Sequence, residues 1–167
     1  MWRNGKYGIL VVDDEPSVLV TYRLILEKRG YAVRTANTSV EAIRLLHQDT
    51  FDMLLCDYSL EQEHTGFEVI AEGRKLNPKV TAVLLTGYAS KETVDRATAN
   101  DVTVLFKPID IEEFFRTLET LRRGADAQAA EQATGQGKDE QAEQIHEERS
   151  GSEAGKGRAA AHRPSKN

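Results

Sequence analysis

Cysteine is nearly missing from this chain: Cys56 is the only one in 167 residues, so no internal disulfide can form, and a reducing compartment fits. Long hydrophobic runs are missing too, none approaching the ~20 residues that a membrane-spanning helix needs. The opening Met1-Trp2-Arg3-Asn4-Gly5-Lys6-Tyr7 holds no apolar stretch of the length a secretory signal uses. These absences predict a soluble, cytoplasmic protein without membrane insertion. An excess of positive charge is also absent. With 22 basic against 27 acidic residues the net charge is −5, which argues against direct nucleic-acid binding and against an anionic membrane surface. Histidine is sparse, and His47, His64, His146 and His162 show neither metal-ligand spacing nor a nucleophile partner. They are assigned no role.

Past Arg123 there is no Phe, Trp or Tyr, and Ile145 is the sole large apolar residue. Ala, Gln, Glu, Gly, Lys and Ser take over. Such a segment cannot bury enough apolar surface to offset an ordering cost of ~1–2 kcal/mol per residue. Residues 124–167 are therefore expected to be a low-complexity, disordered tail with transient helix around 125–133 and 139–149. Asp126, Glu131, Asp139, Glu140, Glu143, Glu147 and Glu148 face only Lys138 and Arg149, whereas from Gly155 onward Lys156, Arg158, Arg163 and Lys166 carry all the charge. The plain reading is a solvated extension, with a partner-binding tail as the alternative. The folded part is expected to be one domain, residues 5–123, long enough to hide roughly two-thirds of its unfolded surface.

Within that part, four apolar runs stop at residues able to handle a phosphoryl group or the metal that accompanies one. Gly8-Ile9-Leu10-Val11-Val12 runs into Asp13-Asp14, and Met53-Leu54-Leu55-Cys56 into Asp57. Val80-Thr81-Ala82-Val83-Leu84-Leu85 runs into Thr86, and Val102-Thr103-Val104-Leu105-Phe106 into Lys107-Pro108. A fifth short run, Ala32-Val33-Arg34-Thr35-Ala36, lies between the first two. Continuous rather than alternating apolar runs mark strands of a parallel sheet covered on both faces.

Amphipathic segments fill the gaps. Residues 16–29 place Val18, Leu19, Tyr22, Leu24, Ile25 and Leu26 at helical spacings, with Pro16 suited to a first turn and Gly30 to a stop. Thr38 with Glu41 reads as a capping box opening Ser39–Gln48, whose apolar face is Val40, Ile43, Leu45 and Leu46. Residues 67–76 form a third helix ended by Asn77-Pro78. Residues 90–99 form a fourth, poor in large apolar side chains. Asp110 caps a fifth, 111–122, expected to bury Ile111, Phe114, Phe115, Leu118 and Leu121. Strict strand–helix alternation predicts an α/β fold with right-handed crossovers. With five strands the expected order is 2-1-3-4-5, the doubly wound, flavodoxin-like arrangement. It sets the ends of the first and third strands side by side, at the edge where open α/β sheets bind ligands.

Asp13, Asp14, Asp57, Thr86 and Lys107 would then share one shallow cleft. Three carboxylates in one place repel and call for a cation, and oxygen-only ligands suit hard Mg²⁺. Lys107 is a mobile point charge able to pair with Asp57 or a phosphoryl oxygen. The Thr86 hydroxyl can donate to that oxygen, and Gly87 lets backbone approach closely. A carboxylate can act as nucleophile and form an aspartyl-phosphate, and Asp57 is the candidate. Each element alone has an ordinary explanation: a strand-end aspartate caps helices, Asp13-Asp14-Glu15 suits a helix dipole, and Thr86-Gly87 and Lys107-Pro108 are ordinary turns. Their joint order, one per strand end, points to a site. Cys56 reads as a small core residue.

These residues resemble the receiver domain of bacterial two-component response regulators. Val11-Val12-Asp13-Asp14-Glu15, Leu55-Cys56-Asp57, Leu85-Thr86-Gly87 and Phe106-Lys107-Pro108 match its motifs in order and spacing, over about residues 7–122. The resemblance implies that Asp57 accepts phosphate from the phosphohistidine of a histidine kinase or phosphotransfer protein. It implies that Asp14, Asp57 and the Ser59 backbone carbonyl bind Mg²⁺ directly and Asp13 through water. Thr86 and Lys107 would contact the phosphoryl group, which would be lost slowly by self-catalysis. Many receivers carry an aromatic residue three positions before the lysine that rotates with the threonine. Here Val104 stands there and cannot swing in that way. The loop from Asp57 to Gly66 is one residue longer than the commonest form and lacks its proline, with Glu61, Glu63 and His64 in it. No output module follows, so a single-domain regulator signalling by protein–protein contact to a downstream target is expected, through the fourth helix, fifth strand and fifth helix. A phosphorelay intermediate and a phosphate-independent scaffold are the alternatives. A phosphatase of the haloacid dehalogenase type would need a second aspartate where Ser59 stands.

Overall fold

Alternate residues of the central strands go to opposite helical layers, which is why their sequence shows no polar alternation. The computed structural model describes residues 2–153, with side chains through 134. Its strands are β1 (Gly8–Val12), β2 (Ala32–Ala36), β3 (Met53–Asp57), β4 (Thr81–Thr86) and β5 (Thr103–Phe106), all parallel, in the order β2-β1-β3-β4-β5. The helices are α1 (Pro16–Lys28), α2 (Ser39–Gln48), α3 (Gly66–Leu76), α4 (Lys91–Ala99) and α5 (Ile111–Glu153). Leu10, Val12, Leu54, Cys56, Ala82 and Leu84 meet Leu45, Leu46, Val69, Ile70 and Ala97 of α2, α3 and α4. Ile9, Val11, Met53, Leu55, Val83 and Leu85 meet Leu19, Leu26, Phe114, Phe115 and Leu118 of α1 and α5. The expected α/β, doubly wound sheet is present.

Helix starts follow the sequence signals closely. The Thr38 side chain accepts from the Glu41 N–H, but the Glu41 carboxylate reaches back to the N–H of Asn37, not of Thr38. Asp110 caps α5 by accepting from Glu113, and Ser90 caps α4 by accepting from Thr93. Three apolar positions do not fall where their spacing suggests. Leu24 of α1, Val40 of α2 and Ile111 of α5 are exposed. On α2 the small residues Ser39 and Ala42 lie inward instead, because the helix sits close to the sheet. Helix α4 buries only Thr93 and Ala97, as its composition suggests. Packing also begins before residue 5: Trp2 tilts onto Phe51, and Arg34 lies over the Trp2 ring.

The chain divides into a unit at Met1–Arg122 and another at Arg123–Asn167. Helix α5 runs on to Glu153 rather than stopping at 122, consistent with an Ala-, Gln- and Glu-rich stretch of strong helix formers. The disordered tail was expected over 124–167; its last part, 154–167, lies outside the described residues.

Candidate functional site

Parallel strands all end at one edge, and there the chain gathers its acids. Asp13 follows β1, and its N–H donates to the Ala36 carbonyl at the end of β2 (3.2 Å). Its carboxylate is almost fully buried, 2% exposed, and one oxygen accepts from the Glu15 N–H at 2.9 Å. Asp57 closes β3 in register with Leu85, and its side chain is 13% exposed. Asp14 is exposed. One carboxylate oxygen from each of Asp13, Asp14 and Asp57 lies within 4.8 Å of the others.

Lys107 bridges two of the three. Its Nζ is 3.2 Å from Asp13 Oδ2 and 3.4 Å from Asp57 Oδ1. The lysine is placed by its own backbone, whose N–H donates to the Thr86 carbonyl at 2.7 Å. Burial works against the ammonium, yet the charges of Asp57 and Asp13 outweigh it and hold the pKa above that of ordinary lysine. Burial likewise pushes the Asp57 carboxyl up; Lys107 pulls it down, while Asp13 and Asp14 add to the rise. A negative group is thus kept where negative charge is costly, with a cation alongside. Burial pushes the Cys56 thiol far up, which leaves it an inert core residue.

Thr86 is buried at the end of β4, but its hydroxyl is engaged in its own turn. Oγ1 donates to the Tyr88 carbonyl at 2.6 Å and accepts from the Tyr88 N–H at 3.2 Å. The structure therefore brings Asp13, Asp14, Asp57 and Lys107 together directly, and sets Thr86 beside them with its donor already in use. Ser59 lies two residues past β3, exposed, bridged in antiparallel fashion to Thr65. Val104 pairs with Leu84 and packs against the α2–α3 side of the core.

Two residues of the site escaped the sequence reading. Gly66 opens α3 where a Cβ would come within 2.5 Å of the Asp57 carbonyl oxygen and 2.8 Å of Leu84 Cδ1. Its N–H donates to the Tyr58 carbonyl. Only a residue without a side chain lets α3 pass so close behind the aspartate. The signal was present as a glycine ending a loop. Tyr22 of α1 is partly buried against Phe114, near enough to the cluster that, after burial, Lys107, Asp13 and Asp57 all act on its hydroxyl, with a net rise in pKa. In sequence it was one of several apolar-face residues. With Ile25, Lys107, Ile111 and Phe114 it lines a groove of about 430 Å³ between α1 and the start of α5.

An acid cluster bridged by a lysine at the carboxyl edge of a doubly wound parallel sheet places the site where α/β domains of this class bind their ligands. The chain belongs to the response regulator receiver domain family, whose model matches residues 9–119. It is 33% identical over 136 residues to the transcriptional regulatory protein ZraR of Salmonella typhimurium, covering 78% of this chain and 31% of that protein. It is 38% identical over 107 residues to the alginate biosynthesis transcriptional regulatory protein AlgB of Pseudomonas aeruginosa, covering 63% of this chain and 24% of that protein. The chain thus spans less than a third of the length of these curated relatives. A CheY-like response regulator receiver domain protein from Methanospirillum hungatei superposes with a TM-score of 0.67 at 29% identity, covering 76% of this chain and 99% of the other. A response regulator from Burkholderia pseudomallei, solved with a phosphorylated aspartic acid, calcium ion and citrate, gives a TM-score of 0.62 at 34% identity, over 75% of this chain and 72% of that one. Receiver domains are phosphoacceptor signalling domains. Among the described residues no helix is long and apolar enough to cross a membrane.

Proposed function

We propose that this receiver domain accepts a phosphoryl group on Asp57 from a histidine kinase or histidine phosphotransfer protein and signals, in the cytoplasm, by phosphorylation-dependent contact with a downstream protein. The observation that carries the reading is the Asp57 carboxylate at the acidic edge, 3.4 Å from the Lys107 ammonium. The Burkholderia relative, with its phosphorylated aspartic acid and calcium ion, supports it.

An Asp57 oxygen attacks phosphorus in line. The new O–P bond forms as the bond to the donor's imidazole nitrogen breaks, and that electron pair returns to the ring. The three carboxylates present oxygen donors only, which fits a hard divalent ion. Asp13, Asp14, Asp57 and the Ser59 backbone carbonyl would hold Mg²⁺, which when bound offsets charge on the transferring phosphoryl oxygens. Lys107 already spans Asp13 and Asp57, so it follows the added phosphoryl oxygens with little motion. Thr86 must leave Tyr88 to donate to the new group, and that exchange of partners reshapes the chain after β4. Tyr88, Phe106 and Ile111 are exposed there, 82%, 54% and 53% respectively, giving the region of α4, β5 and α5 apolar surface for a partner.

Incubation with acetyl phosphate and Mg²⁺ is expected to add one phosphoryl group, mapped to Asp57 by mass spectrometry after borohydride trapping. Asp57→Ala is expected to take none. Label on another residue, or no label on the wild type, would defeat the proposal.

A further inference from the structure

One side chain of the loop that follows Asp57 ties that loop to the start of α2. Glu61 begins a 3-10 turn, Glu61–Glu63, four residues past Asp57. Its Oε1 accepts from both the N–H and the hydroxyl of Ser39, at 2.7 and 2.5 Å. Ser39 opens α2 and is 2% exposed. It lies three residues after Ala36, whose carbonyl takes the Asp13 N–H. The tie therefore joins the segment carrying Asp57 and Ser59 to the segment that fixes Asp13.

The loop carries costs that its own contacts do not explain. Gln62 and Glu63 are consecutive non-glycine residues at φ 50° and 63°, a left-handed conformation that costs roughly 1–2 kcal/mol per residue. The second carboxylate oxygen of Glu61, Oε2, is buried and has no hydrogen-bond partner among the described residues. Such costs persist where the surrounding structure fixes a geometry that function needs.

We propose that Glu61 is a positioning residue: by clamping Ser39 it sets the spacing between the Asp57 loop and Asp13, and thereby the pocket's affinity for a divalent cation. This rests on the pocket being a cation-dependent phosphoacceptor site. Outer partners that orient metal ligands are typically worth 10–100-fold in metal affinity, and Glu61 acts through a loop, at the low end of that range.

Mg²⁺ binding to the full chain is measured by isothermal titration calorimetry, alongside the rate of phosphorylation by acetyl phosphate, at a temperature where circular dichroism shows every variant folded. Glu61→Ala is expected to weaken Mg²⁺ binding about ten-fold and slow phosphorylation at sub-saturating Mg²⁺, with the rate recovering at high Mg²⁺. Glu61→Gln keeps an amide oxygen to accept from Ser39 and is expected to stay within about three-fold of wild type; a charge effect or a general loss of packing would not be rescued this way. Should Glu61→Ala not fold, Ser39→Ala removes one of the two donors and is expected to weaken binding about three-fold. Wild-type affinity in the variant that breaks the tie, or equal weakening in Glu61→Gln and Glu61→Ala, overturns the inference. A wild type that neither binds Mg²⁺ nor takes phosphate overturns the phosphoacceptor reading itself, a separable result.

Discussion

Replacing Lys107 by methionine keeps the aliphatic stem and removes the ammonium that, among the described residues, touches both Asp13 and Asp57. Contacts of 3.2 and 3.4 Å are worth about 5 kcal/mol each in gross attraction at an effective dielectric near 20. Much of that is offset by desolvation of the ammonium, and losing one partner of a buried pair costs ~3–5 kcal/mol in practice. The Lys107 side chain is 31% exposed, so screening lowers the expected loss to about 2–3 kcal/mol. Urea unfolding followed by far-UV circular dichroism, in chelator, is expected to show the midpoint falling by ~0.7–3 M, given slopes of ~1–3 kcal/mol/M for small domains. Repeating the titration in millimolar Mg²⁺ is expected to shrink the gap, because a divalent ion replaces the missing positive charge. Adding Asp57→Asn to Lys107→Met is expected to recover part of the loss, since the carboxylate left unpaired is gone. A loss under about 0.5 kcal/mol, below even a modest charge pair, would refute the electrostatic account. So would a gap that Mg²⁺ leaves unchanged.

The raised pKa of Asp57 fixes a pH dependence. The folded protein holds that proton more tightly than the unfolded chain, so the stabilising contribution is complete below the ordinary aspartate range and disappears as pH rises through the folded value. Asp57→Asn is therefore expected to be more stable than wild type at pH 7 without metal, the difference narrowing toward pH 4; urea midpoints across that range that run parallel would count against it. Gly66→Ala drives a Cβ into backbone and is expected to cost about 2–3 kcal/mol in the same unfolding assay. Gly73→Ala presses on side-chain ends, Leu54 Cδ1 at 2.5 Å and Leu46 at ordinary contact distance, rather than on backbone, and gains helix propensity, so its cost is expected to stay below that of Gly66→Ala. Equal losses at the two glycines would contradict the backbone-clash argument.

The sheet was legible in the chain because burial on both faces is written as unbroken apolar runs, and strict alternation of strands with helices made it parallel; the strand order itself came by analogy with flavodoxin-like folds. The acid cluster was legible for the same reason. Parallel strands end on one edge, so Asp13, Asp14, Asp57 and Lys107, each closing a run, share that edge, and the analogous strand order set the ends of the first and third strands side by side. Which helical positions face inward was less readable. Val40 carries its apolar side chain outward because α2 is seated by the small residues Ser39 and Ala42 as well as by Leu45 and Leu46, and on α1 Leu19 and Leu26 take the inward positions and leave Leu24 exposed. The state of the Thr86 hydroxyl, turned onto Tyr88, was invisible, since a serine or threonine turn depends on dihedrals that neighbouring residues do not dictate. Only tertiary structure could decide that Glu61 reaches Ser39, twenty-two residues away in sequence, or that Gly66 lies against the Asp57 carbonyl. Contacts between separate loops depend on how two elements pack, and no local pattern of residues encodes that distance.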